Sequence, residues 1–235
     1  LRLEGDAPPV DWLVKMRRLP RAQMLDAQIE EDRVSRASID QLGATLAAFY
    51  RTADPVRWTD DEYRGQLRAN LDSKRSFLKR PRYGLDQGLV RAVARAQARW
   101  RTEHAPLLSA RADHVVDAHG DLRPEHVCLT DPPLVIDCLE FNRSLRLLDP
   151  LSELSFLSLE CRRLGAEWIG DEIIVLYRQH TGDDASPRLV PFYESYHAVV
   201  RATIAVWHLD DAAFGDASTW REQAETYLRL AHERL

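Results

Sequence analysis

Two short segments hold the residue types best suited to chemistry: His119-Gly-Asp-Leu-Arg-Pro-Glu-His126 and, nine residues on, Val135-Ile-Asp-Cys-Leu-Glu-Phe141. Phosphoryl transfer needs a carboxylate to orient the attacking hydroxyl, a cation for developing charge, and oxygen ligands for Mg²⁺. Asp121, Arg123 and Asp137 are of those types. A second chemistry uses the same segments: His119, Asp121, His126 and Asp137 form a mixed nitrogen and oxygen set for a metal whose bound water attacks a substrate. Spacing leaves both open, because His119 and Asp121 straddle a single glycine that need not aim both side chains inward.

These residues need a scaffold, and the surrounding periodicity predicts a mainly helical one. Val127-Cys-Leu129 and Leu134-Val-Ile136 are short apolar runs around Asp131-Pro-Pro133, which reads as a small hairpin beside the loop at 119–126. Upstream, Ile39, Leu42, Leu46 and Phe49 recur at helical spacing behind Ser38-x-x-Gln41, and Thr59-x-x-Glu62 is a second capping box opening a helix toward Phe77. Pro81 to Gly84 read as a turn before a helix over 85–104. Downstream, Asp149-Pro150 reads as an N-cap with proline at the first helical position, and Gly165 as that helix's stop. The helix between is almost wholly apolar, so Glu153 and Glu160 are expected along a narrow solvent-facing edge. Helical segments near 168–180, 189–209 and 219–234 complete the chain, whose start at 11–17 reads as a lone strand.

Composition narrows the function. The chain has 235 residues, 45% hydrophobic and 29% charged, which is enough to bury a core without metal or disulfide staples. A formal net charge of −5 supplies no electrostatic footprint for nucleic acid and suits cationic or neutral ligands. Cys128, Cys138 and Cys161 include no Cys-x-x-Cys pair, which predicts neither zinc ribbon nor disulfide framework and points to a reducing, cytoplasmic setting. No run of eighteen apolar residues predicts a membrane span.

His119-Gly-Asp121 through His126 is similar to the catalytic loop of the protein-kinase-like superfamily, and Ile136-Asp137 to its metal-binding aspartate. The nearer resemblance is to the aminoglycoside phosphotransferase family, in a bacterial branch of which Asp-Cys-x-Glu-Phe-Asn, Leu-Arg-x-x-Asp and Lys-Met-Arg-Arg recur. This sequence has Asp137-Cys-Leu-Glu-Phe-Asn142, Leu145-Arg-Leu-Leu-Asp149 and Lys15-Met-Arg-Arg18.

The resemblance implies an α+β, mainly α fold: the C-terminal lobe of a protein-kinase-like architecture with a small hairpin beside the catalytic loop. Residues 1–20 would be an N-terminal segment with a hinge-like strand, 21–235 the helical lobe, and the nucleotide-covering N-terminal lobe would be missing. It implies an ATP- and Mg²⁺-dependent kinase acting on a hydroxyl of a small molecule. Asp121 would be the base, with Arg123 near the transferred phosphate and His119 bracing the loop; Asp149 would pin that loop from beneath. Asp137 would bind the metal, and His126 would take the place of the family's asparagine, a second metal ligand on the cofactor side. Imidazole suits Mg²⁺ poorly, and the resemblance implies that the covering lobe would be missing, so a non-catalytic binding or regulatory protein of the same fold stays open beside the kinase, as does a metal-dependent hydrolase. No nucleic-acid or membrane partner is expected.

Overall fold

The computed structural model describes residues 17–210 and 216–235. The strand expected at 11–17, with Lys15, lies almost entirely outside the described residues, as does most of the 1–20 segment. Helices dominate: α1 (Leu25–Glu30), α2 (Arg36–Thr52), α3 (Asp60–Leu78), α4 (Gln87–Glu103) and α5 (Ala105–Ser109) come first. Four two-residue strands follow, β1 (Val116–Asp117), β2 (Val127–Cys128), β3 (Leu134–Val135) and β4 (Leu147–Leu148). The rest is helical, with α6 (Pro150–Arg163), α7 (Glu167–Thr181), α8 (Leu189–Trp207) and α9 (Ala217–Glu233).

Local chemistry sets most helix starts. Thr59 accepts from the Glu62 N–H while Glu62 accepts from the Thr59 N–H at 2.7 Å, so two orphan donors of α3 are satisfied together. Asp149 accepts from Leu151 N–H at 2.9 Å, with Pro150 at the first helical position. One expected cap is displaced: α2 begins at Ser35, whose hydroxyl accepts from Ser38 N–H at 3.1 Å, and Ser38 lies inside the helix. Phe49, expected on the buried stripe, is 40% exposed.

The core forms around α6 and α8, which pack on each other and on α7 and α9. Leu154, Leu157, Leu159, Phe192 and Tyr193 are fully enclosed, each such side chain contributing on the order of 1.5–3 kcal/mol. Helix α6 is buried on every side from Pro150 to Cys161. It meets α7 closely enough that a Cβ on Gly170 would fall 2.5 Å from Ser158 Cα. The edge expected for Glu153 and Glu160 does not exist: both are fully buried. A glutamate can sit there only because each has partners reaching in from distant segments. For Glu160 these are Tyr227, at 2.8 Å, and the Nε of Arg201, at 3.4 Å, joined by the Nε of Arg163 from its own helix at 2.8 Å.

Arg111, at the end of the first helical group, supplies a second buried ionic knot. Its guanidinium donates to both Asp149 oxygens (2.8 and 2.7 Å) and to both Asp183 oxygens (2.7 Å each). Tyr193 donates to Asp149 at 2.9 Å and Tyr177 to Asp183 at 3.0 Å. Burial alone would raise the Asp183 carboxyl, but Arg111 outweighs it and holds the group at about 2. Among the described residues, no helix is long and apolar enough to cross a membrane.

Candidate active site

Two antiparallel pairs hold the loop at 119–126 from its ends. β1 pairs with β4 (Val116 opposite Leu148, Asp117 opposite Leu147), and β2 pairs with β3 (Val127 opposite Val135, Cys128 opposite Leu134). Single bonds extend both pairs toward the loop: Ala118 N–H to Arg146 O at 2.8 Å, Leu139 N–H to His119 O at 3.1 Å, and Ile136 N–H to His126 O at 2.9 Å. Asp117 clamps the returning segment, accepting from Arg143 Nε at 2.7 Å and Arg146 Nε at 2.8 Å. The bond to Arg146, then that to Arg143, outweighs burial and draws the Asp117 carboxyl below its ordinary range.

The loop rests on Glu153. Its carboxylate accepts from His119 N–H at 3.1 Å, from Gly120 N–H, and from the Tyr50 hydroxyl at 2.8 Å. Burial pushes this carboxyl above its ordinary value; the three donors oppose that push. Gly120 has a φ of +88°, and a Cβ there would meet Arg146 Cγ and Leu139 Cδ1 at 3.0 Å each. Only glycine fits that turn without strain. The expected underpinning of the loop thus comes from Glu153 and not Asp149, which caps α6 but gives its remaining capacity to Arg111 and Tyr193.

Above this base, His119 braces the loop through both ring nitrogens. Nε2 lies 2.8 Å from Ile136 O and donates to it, while Nδ1 accepts from Asp121 N–H at 3.3 Å. His126 sits between the two aspartates. Its Nδ1 donates to the Asp121 carbonyl at 2.8 Å and lies 3.6 Å from Asp121 Oδ2, and its Nε2 is 3.3 Å from Asp137 Oδ2. Arg123 donates from Nε to the Asp121 carboxylate at 3.1 Å and from Nη2 to His126 Nε2 at 3.1 Å, with Glu125 at 3.9 Å. Asp121, Arg123, His126 and Asp137 are therefore one contact group, and His119 forms its rear wall.

Asp137 differs from its neighbours in backbone and exposure. It adopts a φ of +63°, uncommon for any residue but glycine, and its side chain is 76% exposed. The positive φ follows the last bond to the loop, Ile136 N–H to His126 O, and the carboxylate lies 3.3 Å from His126 Nε2. Aspartate is one of the few side chains that adopt this region readily, and Asp32 does so too, at a φ of +50°. Among the described residues, no group of three or more His, Cys, Asp or Glu side chains has metal-binding geometry. Within this contact group Asp137 has the most open carboxylate, an oxygen donor of the type Mg²⁺ takes. His126 Nε2 already accepts from Arg123.

Sequence reasoning missed Glu153 and Tyr50. The available signal was a glutamate inside an apolar helix, one turn after its cap, a place where charge survives only when paired.

In this mainly helical chain a short hairpin and a glycine turn bring two aspartates and one arginine together around His126. The phosphotransferase enzyme family profile matches residues 11–189, and the chain belongs to that family. It is 30% identical over 207 residues to uncharacterized proteins of Mycobacterium tuberculosis, in two strains, and of Mycobacterium bovis. The match takes in 85% of this chain and 41% of theirs, so the chain spans less than half the length of those relatives. No solved structure matches it.

Proposed function

We propose that this chain is the acceptor-side lobe of a protein-kinase-like phosphotransferase, moving the γ-phosphoryl group of ATP to a hydroxyl of a small molecule. The observation that carries this reading is the placement of the Asp121 and Asp137 carboxylates on either side of the His126 ring. In the transfer, the acceptor oxygen forms a bond to the γ-phosphorus, and the bond from that phosphorus to the β,γ-bridging oxygen breaks. The electron pair leaves with ADP, and the hydroxyl proton passes to Asp121 and on to solvent. Asp121 orients the hydroxyl; Arg123, which now holds Asp121, is placed to turn toward the charge that develops on the transferred group. Asp137 would hold the nucleotide's Mg²⁺, which supplies charge neutralisation when bound. His126 positions the loop by holding the Asp121 carbonyl.

A second reading, a binding protein of the same family without catalysis, has one observation in its favour: the Arg123–Asp121 bond neutralises the carboxylate that would act as base. A hydrolytic metal site draws less support, because His119 has both ring nitrogens engaged. The test is Mg²⁺-dependent ATP consumption by the natural protein at its full length, against a panel of hydroxylated acceptors. Turnover that is lost in Asp121→Asn supports the kinase. Tight nucleotide binding with no turnover for any acceptor would favour the second reading.

A further inference from the structure

Beside the catalytic loop, two arginines stand outward of one buried carboxylate. Glu160 is fully buried, and the arginines bound to it lie outward: the Arg163 and Arg201 side chains are 24% and 15% exposed. Arg163 donates from Nε to Glu160 at 2.8 Å; Arg201 places Nε 3.4 Å from Glu160 Oε1 and 3.4 Å from the Tyr227 hydroxyl. Both guanidinium carbons also lie over the Tyr227 ring, at 5.9 and 5.6 Å from its centroid. Each arginine is thus anchored by Nε and by its planar face. Among the described residues, Nη1 and Nη2 of Arg201 donate to no acceptor, and Arg163 has only Glu125, 3.6 Å from Nη2.

This cluster is continuous with the site. From Asp121 the charges alternate through Arg123 (3.1 Å), Glu125 (3.9 Å), Arg163 (3.6 Å) and Glu160 (2.8 Å) to Arg201 (3.4 Å). The Asp121 carboxylate lies near enough to Arg201 to act on it electrostatically. Of the three carboxylates in this row only Glu160 lies beneath; the guanidinium forks of Arg163 and Arg201 stand outward of it, with the Glu125 carboxylate beside Arg163. A planar fork with its terminal nitrogens free is the geometry that receives a carboxylate or phosphate through two parallel bonds.

We propose that the acceptor is a small anionic hydroxy compound, whose carboxylate or phosphate is received by the Arg163 and Arg201 forks while its hydroxyl is presented to Asp121. The assignment rests on the phosphotransferase reading for the role of the hydroxyl, but the anion subsite stands on its own geometry. The experiment has two arms. In the first, inorganic phosphate is titrated calorimetrically, without nucleotide, into the full chain and into Arg201→Gln, Arg163→Gln and Arg201→Lys. Thermal melts confirm folding, and Arg201→Lys keeps the charge over Glu160 if the glutamine variant fails to fold. Phosphate affinity should fall at least tenfold in the glutamine variants and by a smaller factor in Arg201→Lys. Equal affinity in wild type and Arg201→Lys, or no phosphate binding by wild type, overturns the subsite. In the second arm, phosphoryl transfer from ATP is assayed with hydroxy acids and sugar phosphates against amino sugars and neutral polyols. Turnover confined to anionic acceptors, with KM raised and kcat kept in Arg201→Lys, supports the proposal; turnover confined to amino sugars overturns it. Arginine-dependent phosphate binding with no turnover on any acceptor would sustain the anion subsite and sink the phosphotransferase reading instead.

Discussion

Glu153, inside the first turn of a buried helix, receives the backbone N–H of Gly120, so the turn that aims Asp121 is bonded to the core of the molecule and not to its surface. The same carboxylate takes His119 N–H and the Tyr50 hydroxyl, so three donors lose their acceptor if it is removed. Hydrogen bonds to a charged group are worth about 1.5–3 kcal/mol each, part of it recovered by rearrangement. Glu153→Gln should lower unfolding free energy by about 2–3 kcal/mol in urea titrations and release protection of the 119–121 amides in hydrogen exchange. Unchanged protection there would contradict the role given to Glu153.

Gly120→Ala tests the turn itself. A side chain at φ +88° costs about 1–3 kcal/mol, and this one also meets Arg146 and Leu139. Stability should drop by that amount, and any ATP consumption should fall further than stability explains. A variant with wild-type stability would mean the turn relaxes without strain.

Three polar residues of the site should separate kinetically. Asp121→Asn should lower turnover by about 10²–10⁴-fold with little change in nucleotide affinity, whereas Asp137→Asn should weaken metal-nucleotide binding too. His126→Asn should be tolerated or activating, since an amide can hold the Asp121 carbonyl and also offers an oxygen to Mg²⁺. Full activity in Asp121→Asn, or none in a folded His126→Asn, contradicts these roles.

Acid stability should report on His197, which is stacked on Phe156 and bonded to Ser152 Oγ at 3.1 Å. Burial holds this imidazole down at about 3, with nearby Lys74 pushing the same way. The unfolded chain takes up that proton near its ordinary value of about 6.5, so below it the unfolded state binds more protons. The stabilisation from the neutral ring is complete above about pH 6.5 and declines down to about pH 3, by at most about 1.4 kcal/mol per unit. His197→Phe should lack that slope, so its stability difference from wild type should shift in its favour as pH falls. Parallel stability curves would refute the assignment.

Arg111 is the remaining target. Its removal leaves Asp149 and Asp183 buried without a counter-charge, and Arg111→Met should cost about 3–5 kcal/mol in chemical denaturation. A loss under 1 kcal/mol would show that the remaining donors, the two tyrosines and the Leu151 and Ala185 N–H groups, satisfy both carboxylates.

Much of the frame is visible in local sequence because local bonds make it. The Thr59–Glu62 box, the Asp149–Pro150 start and the hairpin at 127–135 depend on residues within a few positions of one another. The α2 start was misplaced for an equally local reason: Ser35 and Ser38 are both serines with hydroxyls 2.7 Å apart, and spacing does not say which one caps. The supports of the site were hidden because they are non-local. Tyr50 lies 103 positions from Glu153, and Tyr227 lies 67 from Glu160. Read along the chain, both glutamates look like the wet edge of a helix; only the fold brings their partners. The β1–β4 pair escaped notice because two-residue strands carry no alternation to read.

The exposed stretch around Phe141, 81% accessible, separates halves of the molecule joined elsewhere through buried polar contacts. Arg111 precedes it, while Asp149 and Asp183 follow; Tyr63 precedes it, while Tyr193, 2.7 Å away by hydroxyl, follows. Gln97 and Ser195 are joined across it in the same way, at 3.0 Å. A chain severed there would keep those fastenings, so two separately made pieces should recognise each other, making this loop a natural seam for a split reporter whose reassembly is read by complementation.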